Sequence, residues 1–150
     1  MNDCYKKNNN KYDWLIFFDI DEFINLKSYK NIKTFLNKKR FNKCKSIYLN
    51  CFRHTDNDLL YYDNRTLAER FPYINWNSNL YTLKSIIRGN IKNINITSCH
   101  SLDKSIKGCN EFGKIINLTN QVKMEINFNS TNFNSIIILT TIVINLQKNI

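Results

Sequence analysis

Residues Asp13 to Ile24 read DWLIFFDIDEFI, an apolar, aromatic-rich run that breaks directly into three carboxylates, Asp19, Asp21 and Glu22. The unbroken apolar stretch Trp14 to Phe18 fits a strand covered on both faces of a sheet, which puts Asp19 at or near its carboxyl end. Open α/β sheets place ligand chemistry at that end. Along an extended chain residues i and i+2 point to one side, so Asp19 and Asp21 can offer hard oxygen ligands to a single divalent cation. The plain alternative is a solvated acidic turn after a core strand, because short motifs also arise by chance.

A run of apolar residues followed by D-x-D also resembles the opening of aspartate-nucleophile phosphatases of the haloacid dehalogenase type. That pattern wants a small hydroxyl or β-branched residue two places after the second Asp, where this chain has Phe23 preceded by Glu22. Downstream Lys and paired-Asp motifs that would complete such a site are also missing from the sequence. The phosphatase is therefore kept as a secondary alternative.

Three further segments follow in order: SIYLNCFRHTDNDLLYYDNRTLAERF, LKSIIRG and then His100. Together with the acidic motif they resemble glycosyltransferases of the family 2 and family 92 type, which have the GT-A fold. The resemblance covers about residues 3 to 117 and implies a partial, Rossmann-like α/β domain with a mixed sheet. It implies Asp19 and Asp21 as the D-x-D pair that holds a metal on the diphosphate of a nucleotide-sugar donor, with Asp21 the more direct ligand and His100 a third. Glu69, Arg70 and Phe71 match an acceptor-side E-R-F segment, and Lys84 and Arg88 match a basic strand that binds substrate. Cys51 departs from the pattern, standing where these proteins often carry Trp.

The chemistry can be stated from the residue types. Sugar transfer from a nucleotide diphosphate creates an oxocarbenium-like centre and a leaving group of growing negative charge, which a divalent ion stabilises as a Lewis acid. Mixed carboxylate and imidazole ligation suits Mn²⁺ in preference to Mg²⁺. An inverting transfer to a glycan or other hydroxyl acceptor also needs a carboxylate base, for which Asp56, Asp58 and Glu69 are candidates. Each residue has a plainer reading. A lone histidine such as His54 or His100 is more often a surface group than a ligand, Glu69 and Arg70 could be a surface pair on a helix, and Lys84 and Arg88 the solvent side of a strand.

Length allows one domain. GT-A enzymes normally place one or two β-α units that bind the nucleoside ahead of the D-x-D, whereas only 18 residues precede Asp19. The expectation is the metal-binding and acceptor half of such a domain over residues 1–117, with little transfer of its own, or a non-catalytic basic interaction domain. A net charge of +10 would ordinarily point to nucleic acid or an anionic surface. Asn, however, is about one residue in six, and Lys, Asn and Ile together are what AT-rich codons supply. The charge is dispersed, so no specific nucleic acid is expected as a partner. The five cysteines form no C-x-x-C pair, and their odd number argues against a fully paired secreted framework. With a polar start and no apolar signal segment, the reading leans to cytoplasmic or membrane-surface residence.

The periodicity places Ile32, Phe35 and Leu36 on one helical face. SIYLNCF alternates as a strand, RHTDND reads as a polar loop, and TLKSIIR and NINIT read as a hairpin about Gly89-Asn90. From Leu118 the composition shifts. The apolar run IIILTTIVINL is too short to span a membrane as a helix, so no transmembrane span is expected and a strand is the better reading. The tail 118–150 is expected to lie outside the catalytic constellation.

Overall fold

The computed structural model describes residues 1–20, 22–26, 29–55, 64–70, 73–74, 82–98, 106–116 and 137–141. In chain order they form α1 (Asn2–Asn8), β1 (Trp14–Ile16), β2 (Glu22–Asn25), α2 (Ile32–Leu36), a 3-10 turn (Lys39–Phe41), β3 (Ser46–Thr55), α3 (Leu67–Arg70), β4 (Tyr73–Ile74), β5 (Thr82–Arg88), β6 (Gly108–Cys109), β7 (Ile115–Ile116) and β8 (Ile137–Thr141). The strands join in one mixed sheet whose main path runs β1-β5-β3-β6-β7, so the class is α/β as the sequence implies.

β5 links β1 to β3, the strand that also pairs with β4, β6 and β8 and so carries most of the sheet. It runs antiparallel to β1 on one edge, pairing Ile86 with Ile16, and to β3 on the other, pairing Lys84 with Leu49. Side chains alternate across a strand, so its two sets of residues serve two cores. Ile86 joins Ile47, Leu49, Cys51, Phe35 and Phe41 on the face covered by α2 and the 3-10 turn. Leu83 and Ile87 join Leu15, Tyr48, Ile96 and the buried Tyr5 of α1 on the other. The apolar run after Asp13 is likewise divided, with Trp14, Ile16 and Phe18 packed against the first core and Leu15 and Phe17 in the second. It is covered on both faces as its composition requires, although the ladder itself ends at Ile16.

α2 forms where the periodicity places it. Asn31 caps it by accepting from the Thr34 amide at 2.9 Å, and Phe35 is fully buried. Two other expectations need correcting. β3 continues through Arg53, His54 and Thr55, so the start of RHTDND is strand, held by β4 on one edge and β8 on the other. The hairpin about Gly89-Asn90 is absent, and Ile96 makes only an isolated bridge. The reason is that β1 and β3 already occupy both edges of β5, leaving NINIT no ladder to join. Asn2 supplies a substitute, its side chain accepting from the Ile96 amide at 2.8 Å and donating to the Ile96 carbonyl at 3.3 Å.

The apolar run of the tail does form a strand. β8 lies between β2, to which it is antiparallel, and the far half of β3, to which it is parallel. Among the described residues, β8 is the strand through which β2 reaches the sheet. No helix among the described residues is long and apolar enough to cross a membrane.

A disulfide between Cys44 and Cys109 ties the entry of β3 to β6, while Cys4 is exposed and not bridged. With 65 residues of sequence separation it closes a long loop, and its removal is expected to cost about 2–4 kcal/mol. Urea denaturation of Cys44→Ser/Cys109→Ser against wild type measures this. Next to the bridge, Glu111 is buried in the turn between β6 and β7. Burial pushes its carboxyl above the ordinary value, with its own amide and the charge of Arg40 pulling partly back. The folded chain thus holds this proton to higher pH than the unfolded chain does. The group's contribution is most favourable below the unfolded value and declines as pH rises through the folded one. Glu111→Gln should therefore melt higher than wild type at pH 7, with the difference closing below pH 4.5.

Candidate functional site

At the end of the Trp14–Phe18 run the chain turns sharply, and Asp19 and Glu22 fasten the turn to each other. The Glu22 amide donates to the Asp19 carbonyl at 3.1 Å, and the Asp19 amide donates to Glu22 Oε2 at 3.0 Å. A carboxylate three residues on that reaches back to an amide is the geometry of a capping box, here used without a helix. The other Glu22 oxygen, Oε1, lies 2.7 Å from Lys84 Nζ, and the same ammonium donates to Asp19 Oδ2 at 2.9 Å. Three residues from two distant parts of the chain thereby close a ring of charge-assisted bonds.

Burial differs sharply around that ring. The side chains of Lys84 and Glu22 are 0% and 2% exposed, whereas that of Asp19 is 61% exposed. Lys84 enters from the middle of β5, on the same face as Ile86 and beside Leu49. A buried ammonium demands counter-charge, and Glu22 provides it out of water. Asp19 stands at the solvent boundary, with its carboxylate exposed beside the buried Lys84 ammonium.

Of the residues singled out in the sequence, Asp19 and Lys84 are brought together. Arg88 is not. It sits four residues along β5, about 13 Å away, and its guanidinium donates to the carbonyls of Phe41 at 2.7 Å and Cys44 at 2.9 Å while lying 4.1 Å above the Trp14 ring. Glu69 Oε2 accepts from the Thr66 amide at 2.9 Å and the Thr66 hydroxyl at 2.7 Å, which closes the start of α3. Arg70 is half-buried at the end of that helix. Asp21, Asp56, Asp58, Phe71 and His100 lie outside the described residues. The role of Glu22 was missed in the sequence. The signal was there in the D-x-x-E spacing, which is the same spacing as Thr66 to Glu69.

The model of glycosyltransferase family 92 matches residues 1–136 of the chain. The chain belongs to glycosyltransferase family 92. No curated protein and no solved structure matches it. The family 92 match extends beyond Asn117, where the sequence resemblance fades, and reaches the residue before β8. Membership implies a sugar donor and an acceptor.

Of this family 92 chain's own groups, Asp19 fits a divalent cation best among those described: it is a hard oxygen donor, exposed, and fixed by its backbone. Glu22 is buried and committed to Lys84 and the Asp19 amide. Among the described residues no cluster of three metal-ligating side chains forms, so Asp19 would need partners from elsewhere in the chain. The side chain of Lys84, a residue expected to bind substrate, is enclosed behind the turn. Removing its charge strands the buried Glu22 carboxylate. Lys84→Met should therefore cost about 3–5 kcal/mol, while Lys84→Met/Glu22→Gln, which leaves neither charge, should recover most of that loss. Chemical denaturation of both variants tests the pair.

Proposed function

We propose that this glycosyltransferase is a metal-dependent, inverting enzyme that transfers a sugar from a nucleotide-sugar donor to a glycan or other hydroxyl acceptor. The observation that carries the reading is the Asp19 carboxylate, exposed to solvent while the buried Lys84 and Glu22 hold its turn in place. Asp19 and Asp21 form the D-x-D, and His100 contributes an imidazole ligand. Mn²⁺ is preferred and Mg²⁺ is the second choice, given carboxylate and imidazole donors.

A divalent cation bound there supplies Lewis acidity to the departing diphosphate. The chain's own contribution is placement. Asp19 is anchored at both its amide and one carboxylate oxygen, so a ligand held by it sits at a fixed point relative to β5. The charges of Asp19, Glu22 and Lys84 sum to −1, and Asp21 brings the turn to −2. Such a patch attracts a divalent cation and, without one, repels a diphosphate. Metal and donor are thus expected to bind together.

Deprotonation of the acceptor hydroxyl falls to a carboxylate. Glu69 already accepts two hydrogen bonds within its own helix turn, which favours Asp56 or Asp58 as the base. The Cys44–Cys109 bridge supports assembly in an oxidising compartment and weighs against the cytoplasmic side of the sequence reading.

Calorimetric titration with Mn²⁺ tests the metal. Wild type should bind, and Asp21→Ala should bind at least about tenfold more weakly, a loss of about 1.4 kcal/mol. Equal binding by both proteins would remove the D-x-D from the site. Binding of a nucleoside diphosphate should appear only with Mn²⁺ present and vanish on chelation.

A further inference from the structure

We propose that the groove between α1 and the segment following β5 is an additional carbohydrate site, one that takes an anionic saccharide independently of metal and donor. A cavity of about 500 Å³ opens there, lined by Lys6, Asn9 and Asn10 on one side and by residues 90–94 on the other, with Tyr5 at its back. That volume falls in the range of small-ligand pockets. The cavity stands past Arg88, the last residue of β5, and ahead of Trp14, the first of β1, whereas Asp19 follows the far end of the Trp14–Phe18 run. The groove and the Asp19 turn thus lie at opposite ends of the same strand pair.

Backbone contacts and Tyr5 hold the groove in shape. The Asn90 amide donates to the Asn9 carbonyl at 3.0 Å, and the Gly89 amide to the Asp13 carbonyl at 2.8 Å. Gly89 lets the two segments approach, since a Cβ there would run into the carbonyl oxygens of Tyr12 and Asn9. Behind them the Tyr5 hydroxyl donates to the Arg88 carbonyl at 2.7 Å and accepts from the Ile91 amide at 3.2 Å. The other polar side chains are left for a ligand. Among the described residues, neither Lys6 nor Lys92 has a carboxylate partner, and the side chains of Asn9, Asn10, Asn90 and Asn93 make no hydrogen bond.

The lining sets the class of ligand. Two ammonium groups line the cavity and, among the described residues, no carboxylate does, so it attracts an anion. The helix end beside it does not oppose this, because the carbonyls of Cys4, Tyr5, Asn8 and Asn9 already accept from Asn8, Asn9, Lys11 and Asn90. Four carboxamides add donors and acceptors side by side, which match the neighbouring hydroxyls of a sugar. Half-buried Ile91 and Ile94 supply apolar surface for the C–H faces of its ring. A bare anion would use only the lysines, whereas a saccharide bearing carboxylate or sulfate groups uses all three.

Calorimetric titration of metal-free protein with trigalacturonate and with a sulfated trisaccharide tests this. At least one should bind saturably, and the methyl ester of trigalacturonate, which keeps the hydroxyls and loses the charge, should bind at least about tenfold more weakly than the acid. Lys6→Ala/Lys92→Ala should weaken binding by about tenfold or more, while Lys33→Ala/Lys114→Ala, which removes the same charge from exposed positions elsewhere, should stay within about twofold of wild type. Asn10→Ala/Asn93→Gly should also cost about tenfold, Gly being chosen because Asn93 holds φ 57°. All four substituted lining residues are exposed, so the fold is retained. Equal losses in the two lysine pairs would reduce the effect to net charge and overturn the proposal. So would failure of both saccharides to bind, equal binding of the ester, wild-type affinity in the carboxamide variant, or displacement by inorganic sulfate at equal concentration. Lysine-dependent binding to phosphatidylserine vesicles without saccharide binding would give the groove to a lipid surface instead. No arm contains metal or donor, so a failure of Mn²⁺ to bind at Asp19 leaves this test intact.

Discussion

The ammonium of Lys84 is enclosed in the sheet, and much of the molecule is arranged to make that tolerable. An ion of this size loses several kcal/mol of solvation on leaving water, and only close, oriented counter-charge offsets it. The two carboxylates that provide it come from a turn 65 and 62 residues earlier in the chain. The end of the Trp14–Phe18 run and the start of β2 are therefore drawn to the centre of β5. Backbone ladders alone would not demand this, since β1 stops pairing at Ile16. The ion pairs carry the connection from the last ladder residue to the turn.

The same face of β5 carries a second cation used differently. Arg88 has five donors in a planar fork, and two of its nitrogens reach carbonyls of Phe41 and Cys44 while the plane lies on Trp14. It bonds to neutral acceptors and ties the 3-10 turn and the entry of β3 to the sheet. The Cys44–Cys109 bridge begins at the same point and extends the tie to β6. One end of β5 thus consolidates the scaffold, and the middle of it holds the site. Lys84 and Arg88, alike in sequence as a basic strand, are separated in role by burial and by the geometry of their head groups.

Much of this was legible in the residues and part was not. Strand and helix positions with strong local patterns, such as β3, β5 and α2, follow from periodicity, and the apolar tail run does become a strand. NINIT was misread because its pattern is local while pairing is competitive: β5 had no free edge to offer. Nor could periodicity show that Lys84 faces inward. A lysine in an alternating strand reads as solvent-facing unless its counter-charges are known, and those lie in a different part of the sequence. The Asn abundance read as coding bias is nonetheless used structurally. Asn31 caps α2, Asn2 replaces a strand partner for Ile96, and Asn90 and Asn93 take up left-handed backbone at φ 59° and 57°.

The contrast between Glu22 and Glu69 shows why spacing alone could not rank the carboxylates. Both lie three residues after a residue whose amide they accept, Asp19 in one case and Thr66 in the other. Glu69 is exposed and spends its second bond on a hydroxyl, so it serves a helix start. Glu22 is buried and spends its second oxygen on an ammonium, so it joins local turn geometry to the electrostatics of the sheet centre. The difference comes from the neighbour on β5. An identical local motif becomes part of a charged site only where the fold delivers a buried cation to it. A sequence can therefore propose both turns as locked, but only the packed sheet distinguishes the lock that closes on a buried ammonium from the one that begins a helix.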